Sequence, residues 1–164
     1  MRIFLDANIL VSVLNKEYPL FTTTSRIVSL ADNSKFSVFT SPVCLAIAFY
    51  FAEKKHKSIL AKKKISILCE HINIADTNKS AVLQSLENPS VHDFEDGLEY
   101  YSALENKCDC IITEDVNDFY FSKIEVISSE DFFEKYLSNT SKIKNKKFIT
   151  NFSCIRELQR KAHS

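Results

Sequence analysis

Arg2-Ile3-Phe4-Leu5-Asp6-Ala7-Asn8 is a short apolar run that breaks into an acid, and far downstream Ile111-Ile112-Thr113-Glu114-Asp115 breaks in the same way. A brief apolar run bounded by polar residues reads as a fully buried strand. Beyond Asn8, residues Ile9, Leu10, Val13 and Leu14 recur at helical spacing, so the first strand feeds directly into a helix. In an open α/β sheet, ligands bind outside the carboxyl ends of the strands. Acids at those ends are placed for chemistry rather than packing.

The rest of the chain keeps the alternation. Further strands are expected at 36–39, 72–75, 110–113 and 124–127. Helices are expected from Asn8 to Tyr18-Pro19, at 22–31, from Ser41-Pro42 onward, and at 59–69, 78–86, 93–105 and 130–137. Pro42 suits a first helical turn, where its missing N–H costs nothing. Gly97 is the one glycine and there are three prolines, so the elements are joined by short polar turns. Strands alternating with helices imply an α/β fold with a mostly parallel sheet of about five strands covered on both faces. The 164 residues suit one domain over 1–137 with a basic tail at 138–164. In the tail, Phe148, Phe152, Ile155 and Leu158 mark a short helix with an apolar face suited to docking on a partner.

Composition excludes several classes. No apolar stretch is long enough to span a bilayer, and the N-terminus lacks a secretory pattern. Met1 leads straight into a strand, so a cytoplasmic protein without membrane contact is expected. The five cysteines are odd in number and irregularly spaced, which implies buried thiols and no disulfide framework. There is no G-x-S-x-G elbow, no glycine-rich phosphate loop and no H-E-x-x-H. The net charge is zero but unevenly spread: the tail holds seven Lys and Arg against Glu157 alone. A basic tail on an acidic body suits nucleic acid or an acidic partner, and equally a solvated tail.

Three acidic segments remain. Asp6 and Asn8 follow the first strand, and either could simply cap the helix. Asp93 is a natural cap for the helix at 93–105. Asp96 stands in its first turn beside Gly97, which leaves space for a close approach. Asp115 and Asp118 follow the fourth strand at helical spacing. Two carboxylates about 4 Å apart repel by roughly 4 kcal/mol at an effective dielectric of 20. A bound Mg²⁺ reverses that sign, and hard oxygen donors are what it requires. Lys54, Lys55, Lys57 and Lys62-Lys63-Lys64 form a basic stretch that reads either as solvated helix faces or as a phosphate-contacting rim. His92 lies close to the acidic helix in sequence.

Leu5-Asp6-Ala7-Asn8, Ser41-Pro42, Asp93-Phe94-Glu95-Asp96-Gly97-Leu98 and Ile111 to Phe119, in that order, resemble PIN domains, and VapC-like toxins of bacterial toxin–antitoxin pairs in particular. The resemblance runs from Arg2 to Leu137. It implies a three-layer PIN-like sandwich around a parallel sheet and a Mg²⁺- or Mn²⁺-dependent endoribonuclease. Such an enzyme leaves a 3′-hydroxyl and a 5′-phosphate and acts as the toxin of a type II pair. Asp6, Asp96 and Asp115 fall on family metal-binding acids, and Asp118 on a further acid of the catalytic set. The implied partners are an RNA substrate, a cognate antitoxin and a second copy of the chain in a homodimer.

The family's second acid, a Glu in the helix opened by Ser41-Pro42, should fall at Ile47, and the usual Arg after the strand-end Thr is Glu114. Glu53, six residues on, lies about 240° around the helix from Ile47 and is no simple replacement. The alternative is therefore a catalytically weakened PIN-like module that binds RNA or a protein. A phosphatase or receiver-like domain also places an Asp after its first strand. Such a phosphatase wants a second Asp where this chain has Asn8.

Overall fold

A computed structural model of the protein describes residues 1–138 and 153–160. Lys142, Lys144, Lys146, Lys147, Phe148, Phe152 and Lys161, all part of the expected tail, lie outside the described residues.

The sheet has five strands, all parallel: β1 (Arg2–Leu5), β2 (Ser37–Thr40), β3 (Asn73–Ile74), β4 (Cys110–Ile112) and β5 (Glu125–Ile127). Their spatial order is β3-β2-β1-β4-β5. The chain therefore winds outward from β1 on one side through β2 and β3, then crosses back and winds outward on the other through β4 and β5. The reversal falls between β1 and β4, so the crevice at their carboxyl ends is the topological switch point of the sheet. Leu5 pairs with Ile112 there, which sets Asp6 beside Thr113, and the Asp6 amide donates to the Ile112 carbonyl at 3.1 Å.

Helices cover the sheet: α1 (Ala7–Asn15), α2 (Phe21–Val28), α3 (Pro42–His56), α4 (Ser58–His71), α5 (Lys79–Glu87), α6 (Phe94–Glu105) and α7 (Ser129–Phe132). Ser41 caps α3, its hydroxyl accepting from the Cys44 amide at 3.1 Å, with Pro42 in the first turn. Ile3, Phe4, Leu5, Ile111 and Ile112 have no exposure, as strands buried on both faces require. The expected helix at 22–31 is α2 followed by a 3₁₀ turn at Ser29–Asp32, and that at 130–137 is α7 followed by a π turn at Phe133–Leu137. Among the described residues no helix is long and apolar enough to cross a membrane.

Within the tail, α8 (Ser153–Arg160) packs on α4, α2 and the 3₁₀ turn at Ser29–Asp32. Asp32 Oδ2 accepts from the Ser153 and Cys154 amides at 2.9 and 3.4 Å, capping α8 from a distant part of the chain. His71 lies between Asp32 and Glu157, at 3.0 and 3.5 Å. The apolar face of Ile155 and Leu158, expected to await a partner, is buried against the protein's own domain.

Gly97 shows a second difference. A Cβ at this position would stand 2.6 Å from Val91 Cγ1 and 2.9 Å from Ser85 Cβ. The space that Gly97 leaves is taken by α5 and the loop after it, not by a ligand of Asp96.

Candidate active site

Two strand ends and two helix N-termini build the site. Asp6 leaves β1 at the N-cap position of α1, yet its side chain makes no capping hydrogen bond. Its Oδ2 instead accepts from Asn8 Nδ2 at 2.8 Å and from the buried Thr113 hydroxyl at 2.5 Å. Asn8 Nδ2 also lies 2.9 Å from Thr113 Oγ1 and 3.1 Å from Asp115 Oδ2, while Asn8 Oδ1 accepts from the Glu114 amide at 3.3 Å. The Asp115 amide donates to Thr113 Oγ1 at 3.0 Å. Asn8 and Thr113 thus lace the end of β1 to the end of β4. The two acids are held on one side of the switch point by neutral donors rather than by a cation.

Asp93 is the cap of α6, accepting from the Glu95 amide at 2.9 Å. Asp96, one turn in, is half-buried, and its pKa is pushed up to about 7. Burial is the larger cause, followed by the charges of Asp93, Asp6, Asp118 and Asp115. The groups that act most strongly on it are thus all carboxylates, drawn from three separate segments. Asp118 is exposed in the 3₁₀ turn Val116–Phe119, its amide bonded to the Asp115 carbonyl at 3.0 Å. Burial also raises the Asp6 carboxyl above the usual carboxylate range, against hydrogen bonds from Glu99, Thr113 and the Ala7 amide that lower it.

Glu99 is the residue that sequence reasoning missed. It lies one helical turn beyond Asp96 and is 2% exposed. Its carboxyl stands beside that of Asp6 and the Cys44 thiol of α3. Burial, then the charges of Cys44 and Asp6, hold its pKa well above the ordinary value. Glu99 Oε2 is a buried oxygen with no hydrogen-bond partner. The i, i+3 spacing from Asp96 was the available signal, since residues three apart share a helix face.

The family-implied position for a second acid, Ile47, is a partly buried side chain packed against the core. Glu114 accepts from the Ser129 amide at 3.3 Å, at the start of α7. His92 packs against Tyr120 with the rings tilted and their centroids 5.2 Å apart. Two lysines of the basic stretch do not form a rim to the pocket. Lys64 Nζ donates to the Leu14 carbonyl and Lys55 Nζ to the Asn15 carbonyl, each at 2.5 Å. They cap the carboxyl end of α1, where the helix dipole favours cations, about 13 Å along the helix from Asp6.

The donor set fits a hard divalent cation: every group is a carboxylate oxygen, and one buried oxygen lacks a partner. Among the described residues no group of three or more His, Cys, Asp or Glu side chains is arranged to hold a metal ion. Mg²⁺ does not demand one, because it keeps several waters and binds through one or two carboxylates plus substrate phosphate.

Comparison with known proteins bears on the same region. A family model described as PIN domain matches residues 2–117, from β1 through the Asp115 turn. The chain is 26% identical over 142 residues to Ribonuclease VapC1 of Aquifex aeolicus (strain VF5), covering 82% of this chain and 95% of that protein. Similar solved structures include VapBC2 from Rickettsia felis bound to a DNA fragment from their promoter, with a TM-score of 0.60 and 19% identity. The likeness covers 78% of this chain and 98% of that one. VapBC-1 from nontypeable Haemophilus influenzae gives 0.59 and 18%, over 79% and 99%.

Proposed function

The chain belongs to the PIN domain family, and from that membership we propose that it is a divalent-ion-dependent endoribonuclease, the toxin of a toxin–antitoxin pair. What supports the reading is the joining of Asp6 to Asp115 through Asn8 at the switch point of the sheet, with carboxylates, Asp6 and Asp115 among them, as the charges that act on Asp96. The likeness to a ribonuclease named VapC1 supports the reaction, and the likeness to VapBC structures supports an antitoxin partner.

In this mechanism Asp6, Asp96 and Asp115 would hold Mg²⁺ or Mn²⁺, with Asp118 at the rim. A dication bound there would supply Lewis acidity toward a water and the scissile phosphate. The chain's own contribution is positional. Thr113 and Asn8 fix Asp6 in one orientation, and Asn8 fixes Asp115. Hydrolysis then leaves a 3′-hydroxyl and a 5′-phosphate.

Cleavage of RNA with Mg²⁺, Mn²⁺ or EDTA, repeated with Asp6→Asn and Asp96→Asn, tests the assignment. Each substitution should reduce the rate by about two orders of magnitude or more, the scale of losing one group that stabilises transition-state charge. Cleavage indifferent to both substitutions and to EDTA refutes it. Ile47, apolar and packed on the core where the family resemblance implies an acid, favours a second reading, a weakened module that binds RNA or a protein without turnover. Turnover under saturating Mn²⁺ excludes that reading.

A further inference from the structure

Glu99 is costly where it stands. A carboxyl carried into the interior with an oxygen left unpaired loses its hydration without a full replacement. The chain nevertheless places one at 2% exposure, with Oε2 unpartnered and the carboxyl against Asp6. The neighbouring helix makes room for it. Where α3 passes α6, the fully buried residues of α3 are Cys44, Ala48 and Ala52, all small. Of these, Cys44 is the one that borders the Glu99 carboxyl.

We propose that Glu99 is the fourth carboxylate of the ion site, supplied from α6 in place of the acid that α3 lacks at Ile47. Glu99 Oε2 is the atom that the ion, or a water on it, would engage. Asp96 and Glu99 then approach from one face of a single helix, and Asp6 and Asp115 from the ends of β1 and β4. The inference rests on the reading of the site as a divalent-ion nuclease, and accounts for how such a site works with no acid on α3.

Calorimetric titration of Mn²⁺ into the metal-free full-length protein tests the inference without reference to turnover, using wild type, Asp6→Asn, Glu99→Gln and Glu99→Asp. Wild type should bind, and Glu99→Gln should bind about ten- to a hundredfold more weakly. The Tm of Glu99→Gln in EDTA should equal or exceed that of wild type, because an amide beside Asp6 relieves the carboxyl pair. Glu99→Asp keeps the charge but withdraws it by a methylene, and should also weaken Mn²⁺ about tenfold. It serves as the deciding variant if Glu99→Gln does not fold. Wild-type Mn²⁺ affinity in the Glu99 variants, with affinity lost in Asp6→Asn, makes Glu99 a packing residue and overturns the inference while the nuclease reading stands. Absence of Mn²⁺ binding by wild type overturns both.

Discussion

Replacing Asn8 with Asp exchanges the amide that joins two acids for a third carboxyl of the same shape. Nδ2 lies 2.8 Å from Asp6 Oδ2 and 3.1 Å from Asp115 Oδ2, so the substitution puts an acceptor where a donor stood. Charges at that range repel by about 5 kcal/mol each at an effective dielectric of 20. The full repulsion is not incurred, because the new carboxyl can take up a proton instead. At pH 7 that costs about 4 kcal/mol for a group of ordinary pKa near 4. Asp115 is exposed, and screening at its side lowers the figure further. Urea unfolding in EDTA at pH 7 should therefore show a loss of about 2–4 kcal/mol. The new group's pKa is raised in the folded state, so the folded state binds the extra proton and the deficit grows as pH rises above the unfolded pKa. Acidification toward pH 4 should close the gap to wild type, and millimolar Mg²⁺ at pH 7 should narrow it by engaging the added carboxylate. Wild-type stability at pH 7 in EDTA, or a gap that widens on acidification, would refute the placement of Asn8 as the bridge.

Gly97→Ala gains about 1 kcal/mol in helix propensity but forces a Cβ to within 2.6 Å of Val91 and 2.9 Å of Ser85. Overpacking of about 1–3 kcal/mol should win, lowering the urea midpoint, with a midpoint above wild type as the contrary result. Asp96, at about 7 against an ordinary 3.8, takes up its proton on folding, so metal-free stability from this group is present below about pH 4 and lost as pH rises through 7. Thermal melts in EDTA should accordingly fall from pH 5 to pH 8, and Asp96→Asn should flatten that slope. Asp32→Ala removes the acceptor for the Ser153 and Cys154 amides and the partner of His71. Amide exchange in α8 should quicken by the equivalent of about 1 kcal/mol while that of β1 and β4 is unchanged.

The fold was legible because a parallel sheet buries both faces of its strands, and each strand is then an apolar run with no polar alternation to confuse it. Ile3-Phe4-Leu5 and Cys110-Ile111-Ile112 are such runs, and all five expected strands form. The edges shifted where pairing, not propensity, decides. Register with β1 starts β2 at Ser37, leaving Phe36 outside the strand, and pairing of Thr40 with Ile74 of β3 takes Thr40 in. Asp6 and Asp115 were legible for the same reason as their strands, each standing at the end of an apolar run. Glu99 was not. Helical spacing puts Phe94, Leu98, Tyr101 and Leu104 on one side of α6, but Phe94 and Leu104 are 44% and 39% exposed. Every residue from Gly97 to Ala103 is buried instead. A helix wedged between α5, α3 and β4 has no polar face in that stretch, so its one buried acid looks in sequence like a solvent residue. The lysines failed in the opposite sense. Lys64 read as part of a surface stretch yet is 4% exposed, and Lys55, though exposed, is tied down as well, because their partners, the carbonyls of Leu14 and Asn15, lie 50 and 40 residues away.

These two misreadings concern one balance of charge. Lys55 and Lys64 are committed to the carboxyl end of α1, the end remote from Asp6. At the amino end, Asp6 and Asp115 are held by an amide and a hydroxyl, and Glu99 rests against Asp6. Such an arrangement keeps geometry without cancelling charge: neutral donors orient carboxylates but leave their negative potential directed into the crevice. A lysine in the same place would neutralise the pocket and exclude a cation. If the crevice takes a dication, as proposed, the bonds that hold Asp6 and Asp115 would keep it open to the ion, and the stability given up in the ion-free state would be regained on binding, in proportion to ion affinity.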